Sequence, residues 1–74
     1  MPELPEVETV RRILEPLIQG KKIESIKVLR AKNIVSGAPA FVASLTGETF
    51  LGVSRKGKYL LFLLTHEKVV VSHL

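Results

Sequence analysis

The sequence of 74 residues predicts an α+β fold in which one amino-terminal helix packs against an antiparallel sheet. Apolar residues recur at helical spacing over residues 5–20, and three short segments rich in strand-forming residues follow between residues 48 and 73. The connectors between these three segments have only two or three residues. Connectors of that length form hairpins, so neighbouring strands should run antiparallel.

The first segment has the pattern of an amphipathic helix. Pro5 suits the first position of a helix, and Gly20 suits the left-handed residue that ends one. Pro16 has no N–H group and its ring opposes a regular helical turn, so we expect the helix to kink near residues 13–15 or to end there. The apolar residues that share one face are Val7, Val10, Leu14, Leu17 and Ile18.

The middle of the chain predicts one strand, one loop and one short helix. Residues 22–30 (KIESIKVLR) are rich in β-branched side chains and predict a strand, which keeps an alternating pattern only if it contains a bulge. Residues 31–39 have the composition of a loop. Residues 40–45 are long enough for a helix of one to two turns.

The last third of the chain predicts strands at residues 48–55, 59–65 and 68–73, with hairpin connectors at 56–58 and 66–67. The runs YLLFLLT and VVVS are apolar on both faces, which predicts strands that are covered on both sides. Because the sequence stops directly after the last apolar strand, we interpret residues 1–74 as an incomplete domain.

Composition limits the function. Hydrophobic residues make up 46% and charged residues 24%, without an apolar run long enough to span a membrane. The acidic amino terminus is unlike a secretory signal, which predicts a cytoplasmic protein. With no cysteine and two histidines, neither disulfides nor a metal site are expected. The net charge of +4 favours polyanionic partners, although many proteins without a nucleic-acid partner are equally basic.

Five motifs carry a family resemblance: MPELPEVETVRR at the start, GKKI at 20–23, LTG at 45–47, RKGKYLLF at 55–62 and SHL at 72–74. Together they resemble the amino-terminal region of the formamidopyrimidine-DNA glycosylases, which implies that residues 1–74 form the incomplete amino-terminal catalytic domain. Family members continue into a helical DNA-binding region and a four-cysteine zinc finger, both absent from this sequence, so no cofactor is expected in this chain. The family fold here is a β-sandwich with helices beside it, which implies a sandwich-like sheet.

The resemblance implies a bifunctional DNA glycosylase and abasic-site lyase that acts on oxidised purines in base-excision repair. Once Met1 is removed, the Pro2 amine would be the nucleophile and form a Schiff base, since an α-amino group has a pKa of about 8. Glu3 would protonate the sugar ring oxygen, and Glu6 would support it. Without the resemblance, Pro2 is a tolerated terminal residue, and the glutamates only complement the helix dipole.

The resemblance also implies that two side chains contact damaged double-stranded DNA. Lys58 corresponds to the family's hairpin lysine, which reaches the phosphates at the damaged nucleotide and counts as part of the catalytic set. His73 corresponds to a histidine that contacts phosphate. The alternatives are a solvated hairpin for Lys58 and an exposed histidine at a strand end for His73.

The sequence leaves two other functions open. The related endonuclease VIII branch uses the same proline and glutamate on oxidised pyrimidines, and a non-catalytic DNA-binding or structural module would need neither residue. We expect the parent enzyme to work in the bacterial cytoplasm, associated with the nucleoid when bound to DNA, and the 74 residues alone to be inactive. Exposed strand edges near the end of the chain predict self-association.

Overall fold

The structure is a computed structural model that describes residues 4–29, 32 and 37–73. In this part of the chain it contains helices α1 (Leu4–Ile18) and α2 (Ala38–Leu45) and strands β1 (Phe50–Lys56), β2 (Tyr59–Leu64) and β3 (Val69–His73). The predicted α+β class, with a helix followed by an antiparallel sheet, is confirmed. Each strand boundary lies within two residues of its predicted position.

The three strands form one antiparallel sheet in the order β1-β2-β3. Lys56 pairs with Tyr59 at the first hairpin, and Tyr59 also pairs with His73 on β3. The register of β1 shifts between Phe50 and Gly52, as in a β-bulge. The sheet therefore brings residues that are far apart in sequence to a common end.

The core lies between α1 and one face of the sheet. Val7 of α1, Val53 of β1 and Leu60 of β2 are at most 2% exposed and form one cluster. This arrangement follows from the helical spacing of the apolar residues, because that spacing places Val7 and most of the other predicted apolar residues on the face of α1 that meets the sheet. Leu17, which was predicted on the same face, is instead 59% exposed. Partly buried side chains complete the cluster: Val10, Leu14, Ile18 and Phe62.

The opposite face of the sheet is open within the described residues. The side chains of Leu63, Val69 and Val71 are 36%, 50% and 59% exposed. The prediction that the strands are covered on both sides therefore holds for only one face here. Their apolar composition reflects a face that α1 cannot reach, because a single helix packs against only one side of a sheet.

Pro16 does not end the helix, although an end there was one of the two outcomes predicted from the sequence. Helix α1 continues to Ile18, and the Gln19 N–H still donates to the Glu15 carbonyl at 2.9 Å. Proline at this position removes only the bond that its own N–H would have made to the Arg12 carbonyl. The last turn is then stopped by Gly20, which has the predicted positive φ of 82°.

The predicted strand at residues 22–30 is wrong as an extended element. Its described part, up to residue 29, makes only one isolated bridge, between Lys22 and Thr49. Around Ile23 this segment still forms strand-like hydrogen bonds with residues 47–48. The Ile23 N–H donates to the Glu48 carbonyl at 2.8 Å, and the Gly47 N–H donates to the Ile23 carbonyl at 2.8 Å. At Gly47, with φ of 90°, the partner segment turns into α2, so the following residues have no neighbouring strand.

The predicted short helix is confirmed as α2, which begins two residues earlier than expected. Gly37 occupies its N-cap with φ of 87°, and a proline stands in its first turn. Much of the predicted loop, residues 31 and 33–36, lies outside the described residues, as does residue 30. Within the described part of the chain, no helix is both long and apolar enough to cross a membrane.

Candidate nucleic-acid interface

The predicted site residues fall partly within the described structure. Pro2 and Glu3 lie outside the described residues. Glu6 is exposed in the first turn of α1, Lys58 is half-buried in the β1–β2 turn, and His73 is exposed at the end of β3. Three of the five positions can therefore be placed.

Lys58 and His73 lie at the same end of the sheet. Lys58 immediately precedes Tyr59, which pairs with His73 across β2 and β3. The Tyr59 and His73 rings are in contact, with centroids 4.7 Å apart and planes inclined at 40°. The antiparallel register thus brings together Lys58 and His73, which are fifteen residues apart in the sequence.

The turn that carries Lys58 has a defined conformation. Gly57 has a positive φ of 60°, whereas the φ of Lys58 is negative. A positive φ at only the first of two turn residues is the pattern of a type II′ hairpin, which favours glycine there. Gly57 therefore fixes the direction in which the chain presents Lys58.

The start of α1 lies near this same end. The Arg55 Nε donates to Glu8 Oε1 at 3.1 Å, linking β1 to the second turn of the helix. Leu4 precedes Glu8 by four residues, which is a rise of about 6 Å along a helix. Helix α1 therefore begins, at Leu4, on the side of the sheet where the Lys58 turn is found.

Glu8 is the centre of a charged network that the sequence did not indicate. Its carboxylate accepts hydrogen bonds from Arg11, Arg12 and Arg55. These bonds, led by that of Arg11, hold the pKa of Glu8 far below its usual range. Reciprocally, the carboxylate raises the pKa of Arg11. From sequence, Glu8 had only the role of complementing the helix dipole.

Arg11 ties this network to the backbone of the sheet. Its Nη1 donates to the Val53 carbonyl at 3.2 Å, and the Val53 N–H donates to Glu15 Oε2 at 2.9 Å. Gly52 is adjacent, and a Cβ there would stand 3.1 Å from the same Glu15 oxygen. Polar contacts on both sides of Val53 thus fix the position of the helix along β1.

A second charged cluster surrounds Glu48, next to the β2–β3 turn. Glu48 is 7% exposed, with Lys68 Nζ 2.7 Å from Oε2 and His66 Nδ1 2.7 Å from Oε1. The Thr65 hydroxyl also donates to this carboxylate. Hydrogen bonds from Lys68, Thr65 and His66 lower the pKa of Glu48 to about 2. This cluster links the residues just before β1 to the β2–β3 turn. It lies at the end of β2 that is opposite to Lys58.

The whole chain, residues 1–74, matches the family model described as the formamidopyrimidine-DNA glycosylase N-terminal domain. The chain belongs to the formamidopyrimidine-DNA glycosylase family. Named relatives include the formamidopyrimidine-DNA glycosylases of Ligilactobacillus salivarius and Bartonella quintana, each 51% identical over all 74 residues. The chain spans only 27% and 25% of their respective lengths.

Solved structures of this family have the same fold. A variant of the Lactococcus lactis formamidopyrimidine-DNA glycosylase in complex with Fapy-dG-containing DNA matches with a TM-score of 0.95 and 48% identity. The alignment covers 99% of this chain and 27% of that one. The Lactococcus lactis protein in complex with abasic-site DNA matches with a TM-score of 0.94 and 46% identity, over 97% of this chain and 27% of that one.

The four-cysteine zinc finger of the glycosylase family does not fit the residues of this chain. The sequence contains no cysteine. Among the residues that the structure describes, no three His, Asp or Glu side chains stand close enough together to hold a metal ion.

Proposed function

We propose that residues 1–74 are the amino-terminal catalytic part of a base-excision DNA repair enzyme. The enzyme would be a bifunctional glycosylase and abasic-site lyase that removes oxidised purines, such as 8-oxoguanine and formamidopyrimidines, from duplex DNA. In a bacterial cell it would act in the cytoplasm, on the nucleoid. The observation that supports this proposal most strongly is the match of the entire chain to the family's amino-terminal domain.

The nucleophile would be the secondary amine of Pro2 after removal of Met1. While Met1 is attached, the Pro2 nitrogen is a tertiary amide and has no basic lone pair, so processing is required. The free amine attacks C1′ of the damaged nucleotide, and the base leaves with the electrons of the glycosidic bond. Loss of a proton and opening of the sugar ring give an iminium ion, which acts as an electron sink for elimination of the sugar phosphates.

The carboxyl group of Glu3 would protonate the ring oxygen as the sugar opens. This role requires a carboxyl group that is protonated near neutral pH and lies within hydrogen-bond reach of that oxygen. Glu6 would support it, since the first turn of α1 holds Glu6 three residues further along the chain. The same residue also complements the positive end of the helix dipole.

Lys58 and His73 would hold the DNA backbone. Their common end of the sheet supports this assignment, because two cationic or donor groups there can contact adjacent phosphates. Such contacts position DNA without reading its sequence. Binding should therefore depend strongly on salt concentration and weakly on sequence context.

An intact-mass spectrum after borohydride treatment tests the proposal. The chain is incubated with an abasic-site duplex, alone and as a chimera in which residues 1–74 replace the matching part of the Ligilactobacillus salivarius relative. We expect a reduced adduct on the chimera that lacks Met1, and none on a chimera with Pro2→Gly. An adduct that survives Pro2→Gly unchanged would show that another group is the nucleophile.

The lesion class is tested with the same chimera. Excision from duplexes containing 8-oxoguanine is compared with excision from duplexes containing thymine glycol. We expect faster excision of 8-oxoguanine, and a preference for thymine glycol would instead assign the chain to the endonuclease VIII type of activity. Salt-dependent DNA binding without adduct or excision would indicate a non-catalytic binding module.

A further inference from the structure

Arg55 joins two parts of the molecule that the proposed chemistry uses together. Its Nε donates to Glu8 Oε1 at 3.1 Å, and its Nη1 donates to the Gly57 carbonyl at 3.0 Å. The Gly57 carbonyl belongs to the peptide bond that leads into Lys58. One guanidinium group therefore links the amino-terminal helix to the peptide that carries the hairpin lysine.

The partner of Arg55 on the helix is itself held rigidly. Arg11 forms a two-point contact with Glu8, from Nε to Oε1 at 3.0 Å and from Nη2 to Oε2 at 2.8 Å. Arg11 is in turn anchored to the Val53 carbonyl of β1. Paired guanidinium and carboxylate groups with two parallel hydrogen bonds restrict orientation as well as distance. Glu8 is therefore a fixed point from which Arg55 can position the turn.

The turn needs such a support. A hairpin tip is normally the most mobile part of a two-stranded unit, because it projects beyond the ladder of hydrogen bonds. Gly57 adds backbone freedom at the tip. The Arg55 bond to the Gly57 carbonyl reduces this freedom at the residue that comes directly before Lys58.

We propose that Arg55 is a positioning residue for Lys58, and that it sets the place of the hairpin lysine relative to the helix that follows Pro2 and Glu3. This inference rests on the proposed function, because it concerns the lysine assigned there to the DNA backbone. Arg55 acts through Lys58 and makes no phosphate contact of its own. Its Nε and Nη1 groups are already engaged by Glu8 and by the Gly57 carbonyl.

Arg12 provides a matched control for Arg55. Its Nε donates to the same carboxylate, to Glu8 Oε2 at 2.8 Å, but Arg12 is on the same helix as Glu8 and its side chain is 72% exposed. Arg12→Gln removes one cation and one hydrogen bond from Glu8 without breaking the link to the hairpin. Arg55→Gln removes the same charge and breaks that link.

The experiment measures how the dissociation constant of the chimera for a duplex with a non-cleavable abasic analogue depends on salt concentration. The variants are Arg55→Gln, Lys58→Gln, the double variant and Arg12→Gln. Loss of one phosphate contact lowers the slope of log affinity against log salt by about 0.9. We expect Lys58→Gln to show that loss, Arg55→Gln to show part of it, and Arg12→Gln to keep the wild-type slope.

The double variant distinguishes positioning from direct contact. If Arg55 acts through Lys58, the double variant has the slope and affinity of Lys58→Gln alone, because the effects of residues that act as one unit do not add. Additive effects would mean that Arg55 contacts DNA itself and would overturn the inference. An Arg55→Gln variant that behaves like Arg12→Gln would overturn it as well.

Arg55→Lys gives a second test if Arg55→Gln does not fold. Lysine keeps the charge but ends in one nitrogen and lacks the planar fork that spans Glu8 and the Gly57 carbonyl. We expect Arg55→Lys to keep the reduced slope, and full rescue would overturn the inference.

Binding to the analogue needs no covalent step, so a failure of the Pro2 chemistry with these slopes intact refutes the proposed function alone. Wild-type binding without salt dependence would refute both.

Discussion

Tyr59 and His73 face each other across β2 and β3, with ring centroids 4.7 Å apart. They are direct partners in the strand register, so the contact is set by the sheet and not by a flexible loop. His73 is otherwise among the exposed residues of the sheet. The tyrosine ring therefore holds the imidazole at the sheet end that also carries Lys58.

Replacing Tyr59 by alanine should weaken DNA binding through His73. An aromatic contact of this kind contributes about 0.5–1.5 kcal/mol, so we expect the dissociation constant for an abasic-analogue duplex to rise by about two- to tenfold. Tyr59→Phe keeps the ring and should bind like wild type. An equal loss for Tyr59→Ala in a His73→Ala background would contradict this explanation.

Acid should destabilise the protein through Glu48. Its pKa is lowered to about 2 in the folded state, below the ordinary value of 4.5, so the folded state binds fewer protons than the unfolded state. The stabilisation is complete above about pH 4.5 and is lost as the pH falls toward 2. Urea unfolding between pH 7 and pH 3 measures it.

Glu48→Gln should unfold at lower urea concentration than wild type at pH 7 and lose less stability on acidification. Lys68→Gln removes the largest cause of the lowered pKa and should change the acid dependence in the same direction, by less. An acid dependence of Glu48→Gln identical to that of wild type would assign the effect to other groups, such as Glu8.

Replacing Glu67 by glycine should stabilise the β2–β3 turn. His66 and Glu67 both have φ of 59°, which is the left-handed conformation that a type I′ turn requires at both central residues. A non-glycine residue in this conformation destabilises the fold by about 1–2 kcal/mol. Glycine removes this strain, but its greater backbone entropy in the unfolded state offsets part of the gain. We expect a gain of about 1 kcal/mol in the free energy of unfolding for Glu67→Gly. Glu67→Ala retains a Cβ and should show no such gain.

Val7→Ala should lower the free energy of unfolding far more than truncation of an exposed apolar residue of the same helix. Val7 is fully buried against β1 and β2, and removing two methyl groups there should lower the free energy of unfolding by about 1.5–3 kcal/mol. Leu17 is 59% exposed, so Leu17→Ala should change it by less than about 0.5 kcal/mol. Equal losses in urea unfolding would show that α1 does not pack as described.

The open face and the unpaired edge of β3, within the described sheet, are consistent with the predicted self-association. Val69 and Val71 are 50% and 59% exposed on a strand that is at the edge of the described sheet. Light scattering after size exclusion should detect dimers of the 74-residue chain at high concentration. Val71→Lys should reduce them, whereas Leu29→Lys, at an 82% exposed position outside the sheet, should not. A wild-type chain that stays monomeric would contradict the prediction.

Local sequence patterns were sufficient for most of the elements. The periodicity of α1 and the short connectors between strands predicted the helix, the hairpins and the antiparallel sheet, because each depends on residues that are close in the chain. The strand at residues 22–30 failed for the opposite reason. β-branched composition favours a strand, but a strand also needs a partner, and the partner turns away at Gly47.

The candidate site divides in the same way. The motifs identified Lys58 and His73 by resemblance, and the sequence alone could not show that they share one end of the sheet with the start of α1. It also assigned Glu8 to the helix dipole, whereas the structure makes it the partner of three arginines. The only signal for this role was the i+3 and i+4 spacing of Arg11 and Arg12.

The sequence by itself determined the order and type of most elements, the absence of cysteine chemistry and the family motifs that suggest a DNA repair enzyme. The tertiary structure decided which face of the sheet is covered, where residues 22–29 lose their partner and how Arg55 connects Glu8 to the Lys58 turn. The physical reason is separation along the chain. Arg55 and Glu8 are 47 residues apart, and contacts over such distances leave no local periodicity from which they could be predicted.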